Sequence, residues 1–399
     1  MEYVIRTENL DVGYDKDVVI KNVDIDALKG QTICLIGPNG AGKSTILRTL
    51  SGMLSPINGT VYIGNSPIHK IKASEKAKQM AVVLTEKLSI SMTKGIEIVA
   101  MGRAVHTNFW GKLNQEDNEI IEESMKIVDA WDLRDREYNS LSDGEKQKIL
   151  IARALTQQPK LIILDEPTSH LDIKHKIEVV KILNRLAHEK GLTVILALHD
   201  IDIAVKSCQT ILLIKDGEIS VQGKPEEIIK EGTIEKLYNI KGAAYDYLLG
   251  NVEMHNENPA KIFVLGGGGT AIPVYRLLGR MNIGIVTGIL HQNDVDYRVA
   301  NTMKLNIISQ KSFTFIDDDI LEKAKEYVKS TDILIDCGFE VGDINKKNLE
   351  LVEFALENNK KVLSFRNKEE IGNIFHNKYN IENITSLSQL SKTLQEYYK

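Results

Sequence analysis

The sequence predicts an α/β protein made of two sheet-and-helix domains in tandem, and three observations carry that expectation. An apolar run, Thr32-Ile33-Cys34-Leu35-Ile36, passes through the glycine-rich turn Gly37-Pro38-Asn39-Gly40-Ala41-Gly42-Lys43-Ser44-Thr45 into Ile46-Leu47-Arg48-Thr49-Leu50. Two further runs, Leu161-Ile162-Ile163-Leu164 and Thr193-Val194-Ile195-Leu196-Ala197, are continuously apolar, as strands buried on both faces of a parallel sheet must be. The strand–glycine–helix order then restarts at Ile262-Phe263-Val264-Leu265-Gly266-Gly267-Gly268-Gly269. A chain of 399 residues is also too long for one ordinary core.

The first turn fits the phosphate-binding pattern G-x-x-x-x-G-K-[ST], and it stands between strand and helix, where that pattern has a mechanism. Glycines let backbone N–H groups point inward as an anion cradle, and the helix N-terminus adds its dipole. Lys43 is placed for the β- and γ-phosphates and Ser44 for Mg²⁺. A nucleotide-phosphate site is the expectation.

Composition removes several classes. Hydrophobic residues make up 43% and charged residues 26%, the balance of a globular protein with real cores. A net charge of −5 gives no electrostatic case for nucleic acid. Cys34, Cys208 and Cys337 lie far apart, with neither disulfide nor metal spacing, which fits a reducing compartment. No run of eighteen apolar residues and no signal-peptide h-region is present, so neither a membrane span nor export is expected.

In order along the chain, Tyr3–Thr7 and Val18–Ile20 read as strands around a turn at Gly13-Tyr14-Asp15-Lys16. Val61–Ile63 and Met80–Leu84 are further strands, the latter ending in Thr85-Glu86. From residue 87 the pattern becomes helical with charged faces, as in an insertion into the sheet domain. Ser142 precedes a helix with Glu145 three positions on, the spacing of a capping box. The strand Leu161–Leu164 ends in Asp165-Glu166, so both carboxylates lie at the edge where α/β sheets bind ligands. A second such strand ends in Leu198-His199-Asp200, and Asp216-Gly217 marks a hairpin between Ile211–Ile214 and Glu218–Val221.

These motifs, in this order and spacing, resemble the ATP-binding subunit of ABC transporters over residues 1–250, with a helical subdomain at about 87–158. The resemblance implies a P-loop NTPase of the ABC type, with a mixed sheet core plus the helical subdomain. It makes Tyr14 the adenine-stacking aromatic, Gly37 to Thr45 the Walker A loop and Leu141 to Gln147 the signature, with Ser142 and Gly144 aimed at the γ-phosphate. Leu161 to Glu166 becomes Walker B, Asp172 part of the D-loop, His199 the switch histidine and Glu86 the Q-loop residue. Lys43, Glu166 and His199 are then catalytic, with Glu166 polarising the attacking water. Ser44, Asp165 and Glu86 hold Mg²⁺ directly or through water. The implied cofactors are ATP and Mg²⁺. The implied partners are a second copy of this subunit, integral-membrane permease subunits and, indirectly, a substrate-binding protein. The implied place is the cytoplasmic face of the plasma membrane, peripherally bound.

Gly-Pro-Asn-Gly-Ala-Gly-Lys-Ser-Thr, Val99-Ala100-Met101-Gly102-Arg103 and Gly223-Lys224-Pro225-Glu226-Glu227-Ile228 look most like importers of iron-siderophores, haem and cobalamin. A soluble ABC ATPase in assembly is the rival class; translation factors of this kind carry two such domains, and here there is one. Two departures from the family pattern stand out: Asp143 and Glu145 replace a glycine and a glutamine of the signature, and Glu86 replaces the Q-loop glutamine.

Residues 251–260 read as a linker, and 261–399 as a smaller Rossmann-like parallel-sheet domain with an accessory, regulatory role. Gly266, Gly268 and Ala271 fit G-x-G-x-x-A, but no acid ends the second strand: Thr287 and Gly288 lie there, and Asp294 comes late. Either a tight strand–helix turn or a ligand-sensing module for a nucleotide, substrate or corrinoid accounts for that loop.

Overall fold

The structure, a computed structural model, describes residues 3–84, 92–107, 112–375 and 380–398. It divides into two compact units, Met1–Thr233 and Ile234–Lys399.

In the first unit a six-stranded sheet runs in the order Glu218–Gly223, Thr210–Lys215, Thr32–Ile36, Thr193–Ala197, Leu161–Asp165, Met80–Val83. Every neighbouring pair is parallel except the hairpin between Thr210–Lys215 and Glu218–Gly223. That hairpin turns at Asp216 and Gly217, with φ of 50° and 81°, the left-handed pair that a tight two-residue turn needs. A second, antiparallel sheet pairs Tyr3–Tyr14 with Asp17–Val23, Asp26–Leu28 and Asn58–Ile63. Ile5, Leu10, Ile20, Ile33, Leu35, Ile46 and Leu47 are fully or almost fully buried in the core that the two sheets share with helix Lys43–Leu50. Apolar strand runs without alternation are thus explained: the parallel strands are covered on both faces.

The helical insertion holds Gly95–Ala100, Gln115–Ile127 and Asp143–Leu155. Its interior carries a buried ion pair, Arg103 Nε to Asp117 Oδ1 at 2.8 Å, and the same guanidinium donates to the Thr156 carbonyl. Asp117 also takes the amide of Asn114, the cap of its own helix. One arginine therefore ties three segments of the insertion together.

In the second unit six parallel strands follow the order Asn306–Gln310, Gly284–His291, Ala260–Leu265, Ile333–Asp336, Lys361–Ser364, Glu382–Asn383. In chain order this is 3-2-1-4-5-6, the doubly wound arrangement whose switch point lies beside the first strand. The apolar run Ile262–Leu265 marked one of these strands in the sequence; the two-residue Glu382–Asn383 has no such run and pairs through its backbone and a Glu382 Oε2 to Lys361 Nζ contact at 3.0 Å. The expected linker at 251–260 is corrected. Asn251–Met254 is a strand paired with Ala243–Asp246, and buried Asn256 donates to the Ile283 carbonyl. Buried Asp246 and Glu253 bind Arg298 and Arg276. Polar composition signalled a linker, but Glu253 and Asn256 are answered by Arg276 and the Ile283 carbonyl, so the second unit begins near residue 234 and not at 261.

Replacing Arg103 with alanine leaves Asp117 charged and buried with no cation, which should cost the first unit about 3–5 kcal/mol. Chemical denaturation read on the helical insertion measures it, and a loss below about 1 kcal/mol would show that solvent reaches the pair.

Candidate active site

The turn after Thr32–Ile36 is built by close approach as much as by flexibility. A Cβ at Gly37 would lie 2.3 Å from the Ile214 carbonyl oxygen, and one at Gly42 2.6 Å from Ile20 Cδ1. Gly40 and Gly42 have φ of 78° and 99°, and Gly42 caps helix Lys43–Leu50 with no side-chain bond. The first amides of that helix are therefore open to an anion.

Tyr14, Val19, Asn39, Gly40, Gly42, Lys43, Ser44, Thr45 and Glu166 line a cavity of about 270 Å³ over this turn. Lys43 bends back so that Nζ donates to the carbonyls of Gly37 at 2.7 Å and Pro38 at 3.0 Å. Burial pulls its pKa down, while Glu166 and Asp165 oppose that. Ser44 Oγ donates to Asp165 Oδ1 at 3.1 Å. Burial pushes Asp165 up, against the Ser44 bond and with the Glu166 charge adding to the rise. Glu166 sits at φ 50°, left-handed and uncommon for a side chain of its size, just past the strand end. Its carboxylate accepts from Ser169 Oγ at 3.0 Å and meets His199 Nε2 at 2.5 Å.

The structure thus gathers Tyr14, Asn39, Gly40, Gly42 to Thr45 and Glu166 on one cavity, with Asp165 joined through Ser44 and His199 through Glu166. Asp172, Ser142 and Gly144 do not line the cavity. Asp172 instead caps Ile173–Lys190, and Ser142 caps Asp143–Leu155 in the expected capping box with Glu145. Glu86 lies outside the described residues, as does the start of the helical subdomain. Sequence reasoning missed Val19, whose only signal was its place in a strand upstream of the loop.

The signature turn is self-bonded. Ser142 Oγ donates to Glu145 Oε2 at 2.9 Å, and Ser142 N donates to the same oxygen at 2.8 Å. Arg136 Nη1 holds the other oxygen, Oε1, at 2.7 Å. The Ser142 amide first, then its hydroxyl and Arg136, draw the Glu145 pKa down.

Residues 20–169 match the model of the ABC transporter family. A Methanocaldococcus jannaschii protein described as an uncharacterized ABC transporter ATP-binding protein is 44% identical over 290 residues, covering 72% of this chain and all of that one. The chain belongs to the ABC transporter ATP-binding family. Its general activity is ATP hydrolysis. The iron(3+)-hydroxamate import ATP-binding protein FhuC of Bacillus subtilis is 34% identical, over 59% of this chain and 88% of its own. A cobalamin import ATP-binding protein, BtuD, of Halobacterium salinarum is 29% identical over 77% of this chain and 79% of its own. Among solved structures, an inward-facing putative metal-chelate type ABC transporter aligns with TM-score 0.53 and 29% identity, over 60% of this chain and 90% of that one. The dimeric cassette MJ0796 bound to ADP and Pi aligns with TM-score 0.50 and 28% identity, over 55% and 98%. Residues 285–393 match a separate family, the MJ0874 family.

In that second domain the glycine loop is not an open cradle. Gly268 N donates to both oxygens of Asp294, at 3.1 and 2.9 Å. Asp296, fully buried, accepts from Gly269, Ala271 and Ile272 at 3.2, 3.3 and 3.2 Å. The late acids thus fill the place a dinucleotide pyrophosphate would need, and the tight-turn reading of the loop is favoured.

Two predictions follow from these bonds. Glu145→Gln keeps an acceptor for Ser142 but removes the negative charge beside it, and should lower the half-saturating ATP concentration for hydrolysis by about two- to fivefold at low ionic strength, less with added salt. An unchanged ATP dependence would make Glu145 a helix cap alone. Burial, with Asp294 adding and the amides opposing, pushes Asp296 up to about 6. A raised carboxyl stabilises the fold fully below the ordinary carboxylate range and loses that stability as pH rises through 6. The wild-type chain should therefore gain stability over Asp296→Asn as pH falls from 7 to 5, by about 1.4 kcal/mol. Melting curves of both chains across that window test the sign.

Proposed function

We propose that this chain is the ATP-hydrolysing subunit of an importer, acting as a homodimer on separate membrane permeases, with an iron-siderophore, haem or cobalamin as cargo. The observation that carries the catalytic part is the convergence of Lys43, the Ser44–Asp165 pair and the Glu166–His199 pair on one cavity. The import part rests on relatives named for hydroxamate and cobalamin import. The dimer part rests on Ser142 and Gly144 standing outside the cavity of their own chain, so that another copy must supply them.

Tyr14, almost half exposed at the cavity mouth, offers a face for adenine. Lys43 can exchange its two loop carbonyls for phosphate oxygens, and the loop amides and helix dipole hold the same charge. One hydroxyl and one carboxylate, Ser44 and Asp165, fit a small hard cation that completes its shell with phosphate oxygens and water. When bound, Mg²⁺ neutralises charge on the phosphates. Glu166 polarises the attacking water, while His199 holds the Glu166 carboxylate from the next strand end and contacts the γ-phosphate. Ser169 steadies the same carboxylate.

Among the described residues no helix is long and apolar enough to cross a membrane, which agrees with permeases on other chains and a peripheral place at the cytoplasmic face. None of the cavity-lining residues comes from the second unit, which supports a regulatory role for it over a catalytic one.

Glu166→Gln should keep ATP binding, trap a dimer and lose at least about a hundredfold in hydrolysis. Lys43→Ala should lose binding itself. Steady-state hydrolysis with a fluorescent-nucleotide titration separates the two, and near-normal turnover of the glutamine variant would sink the role of Glu166. Recovery of the native chain in the membrane fraction with a permease distinguishes the importer from a soluble assembly ATPase.

A further inference from the structure

The signature glycine packs against a side chain that no motif includes. Gly144 lies in the first turn of helix Asp143–Leu155 and its φ is not in the left-handed region, so its backbone does not call for glycine. Space does. A Cβ there would stand 2.4 Å from both Cγ and Cδ2 of His175 and 2.9 Å from its Cβ. The ring is fixed from the other side by Asp172, whose Oδ1 accepts the His175 amide at 2.9 Å and meets His175 Nδ1 at 2.8 Å. One turn on, Lys148 Nζ pairs with Glu178 Oε2 at 2.8 Å, so the two helices are pinned twice, at 144 against 175 and at 148 against 178.

The neighbouring position points elsewhere. Lys176 Nζ donates to Asp200 Oδ2 at 2.9 Å, directly after His199, which holds Glu166. Successive helical side chains diverge by about 100°, so the first turn of Ile173–Lys190 reaches two motifs at once. One contact is to the signature turn; the other is to the strand end that carries the hydrolytic pair.

We propose that His175 is a positioning residue that sets the signature turn against the D-loop, and so decides how well this chain completes the site of a second copy. The inference rests on the dimer reading above. His175 is not among the residues that line the cavity, so its loss should spare nucleotide binding by the single chain. It should act only where Ser142 and Gly144 meet the partner's nucleotide. Gly144 lacks a side chain because the ring occupies that space, and the two positions should therefore compensate each other.

The test uses the full chain in the Glu166→Gln background, with ATP binding to the monomer and ATP-driven dimerisation measured separately, by nucleotide fluorescence and by light scattering. His175→Ala should leave the first unchanged and raise the ATP needed for half-maximal dimerisation about five- to tenfold. His175→Gln, which keeps a donor for Asp172, should recover part of that loss. Gly144→Ala should weaken dimerisation more strongly, and adding His175→Ala to it should restore dimerisation toward the level of His175→Ala alone. Purely additive losses, or a His175→Ala chain that dimerises within twofold of its parent, would overturn the proposal. Equal weakening of monomer binding would overturn it too, by making His175 a general support of the fold. If the parent fails to dimerise with ATP at all, the dimer reading falls and the role of His175 falls with it.

Discussion

The parallel register of three strands is the constraint on which the site depends. Leu35 and Asp165 both pair with Ala197, so Thr32–Ile36, Thr193–Ala197 and Leu161–Asp165 end level with one another. The phosphate loop, the Asp165-Glu166 pair and Leu198-His199 therefore leave the sheet at one edge. A slip of one residue would turn each strand end over and separate Ser44 from Asp165 and His199 from Glu166. These strands are buried along their whole length, and their polar Asp165 and Thr193 are answered by Ser44 and by the Leu28 carbonyl.

Charge then does at the edge what packing does in the interior. A buried lysine, two adjoining carboxylates and open helix amides stand together at this edge. Each is held by a partner it can give up: Lys43 by two carbonyls, Ser44 by Asp165, His199 by Glu166. Bonds of this kind are modest in net value and exchange readily for stronger, charge-assisted ones. The Arg103–Asp117 pair is the contrasting case, enclosed in the helical insertion where it serves shape.

The two domains show how one local pattern takes opposite outcomes. Both begin with a strand, a glycine turn and a helix. In the first the cradle opens onto a cavity; in the second Asp294 and Asp296 come from the next helix and fill it. The strand order of the second unit is that of dinucleotide-binding sheets, yet its loop donors are already spent.

The sequence by itself determined most of the elements and put the motifs of the first site at strand ends. Contiguous motifs such as Gly37 to Thr45 and Asp165-Glu166 carry their own geometry, since strand, turn and helix are local consequences of apolar runs and glycines. The capping box of Ser142 and Glu145 and the hairpin at Asp216-Gly217 were legible for the same reason. Tertiary structure alone decided the rest. It showed that Asn251–Met254, inside the expected linker, is a strand, that Arg136 holds Glu145, and that His175 fills the space beside Gly144. It also showed that Asp296 occupies the second glycine loop. These contacts join residues apart in sequence, Arg136 to Glu145 across nine positions and Ala271 to Asp296 across 25. Local propensity cannot express such contacts, because it is the packing of whole elements that chooses which polar group answers which.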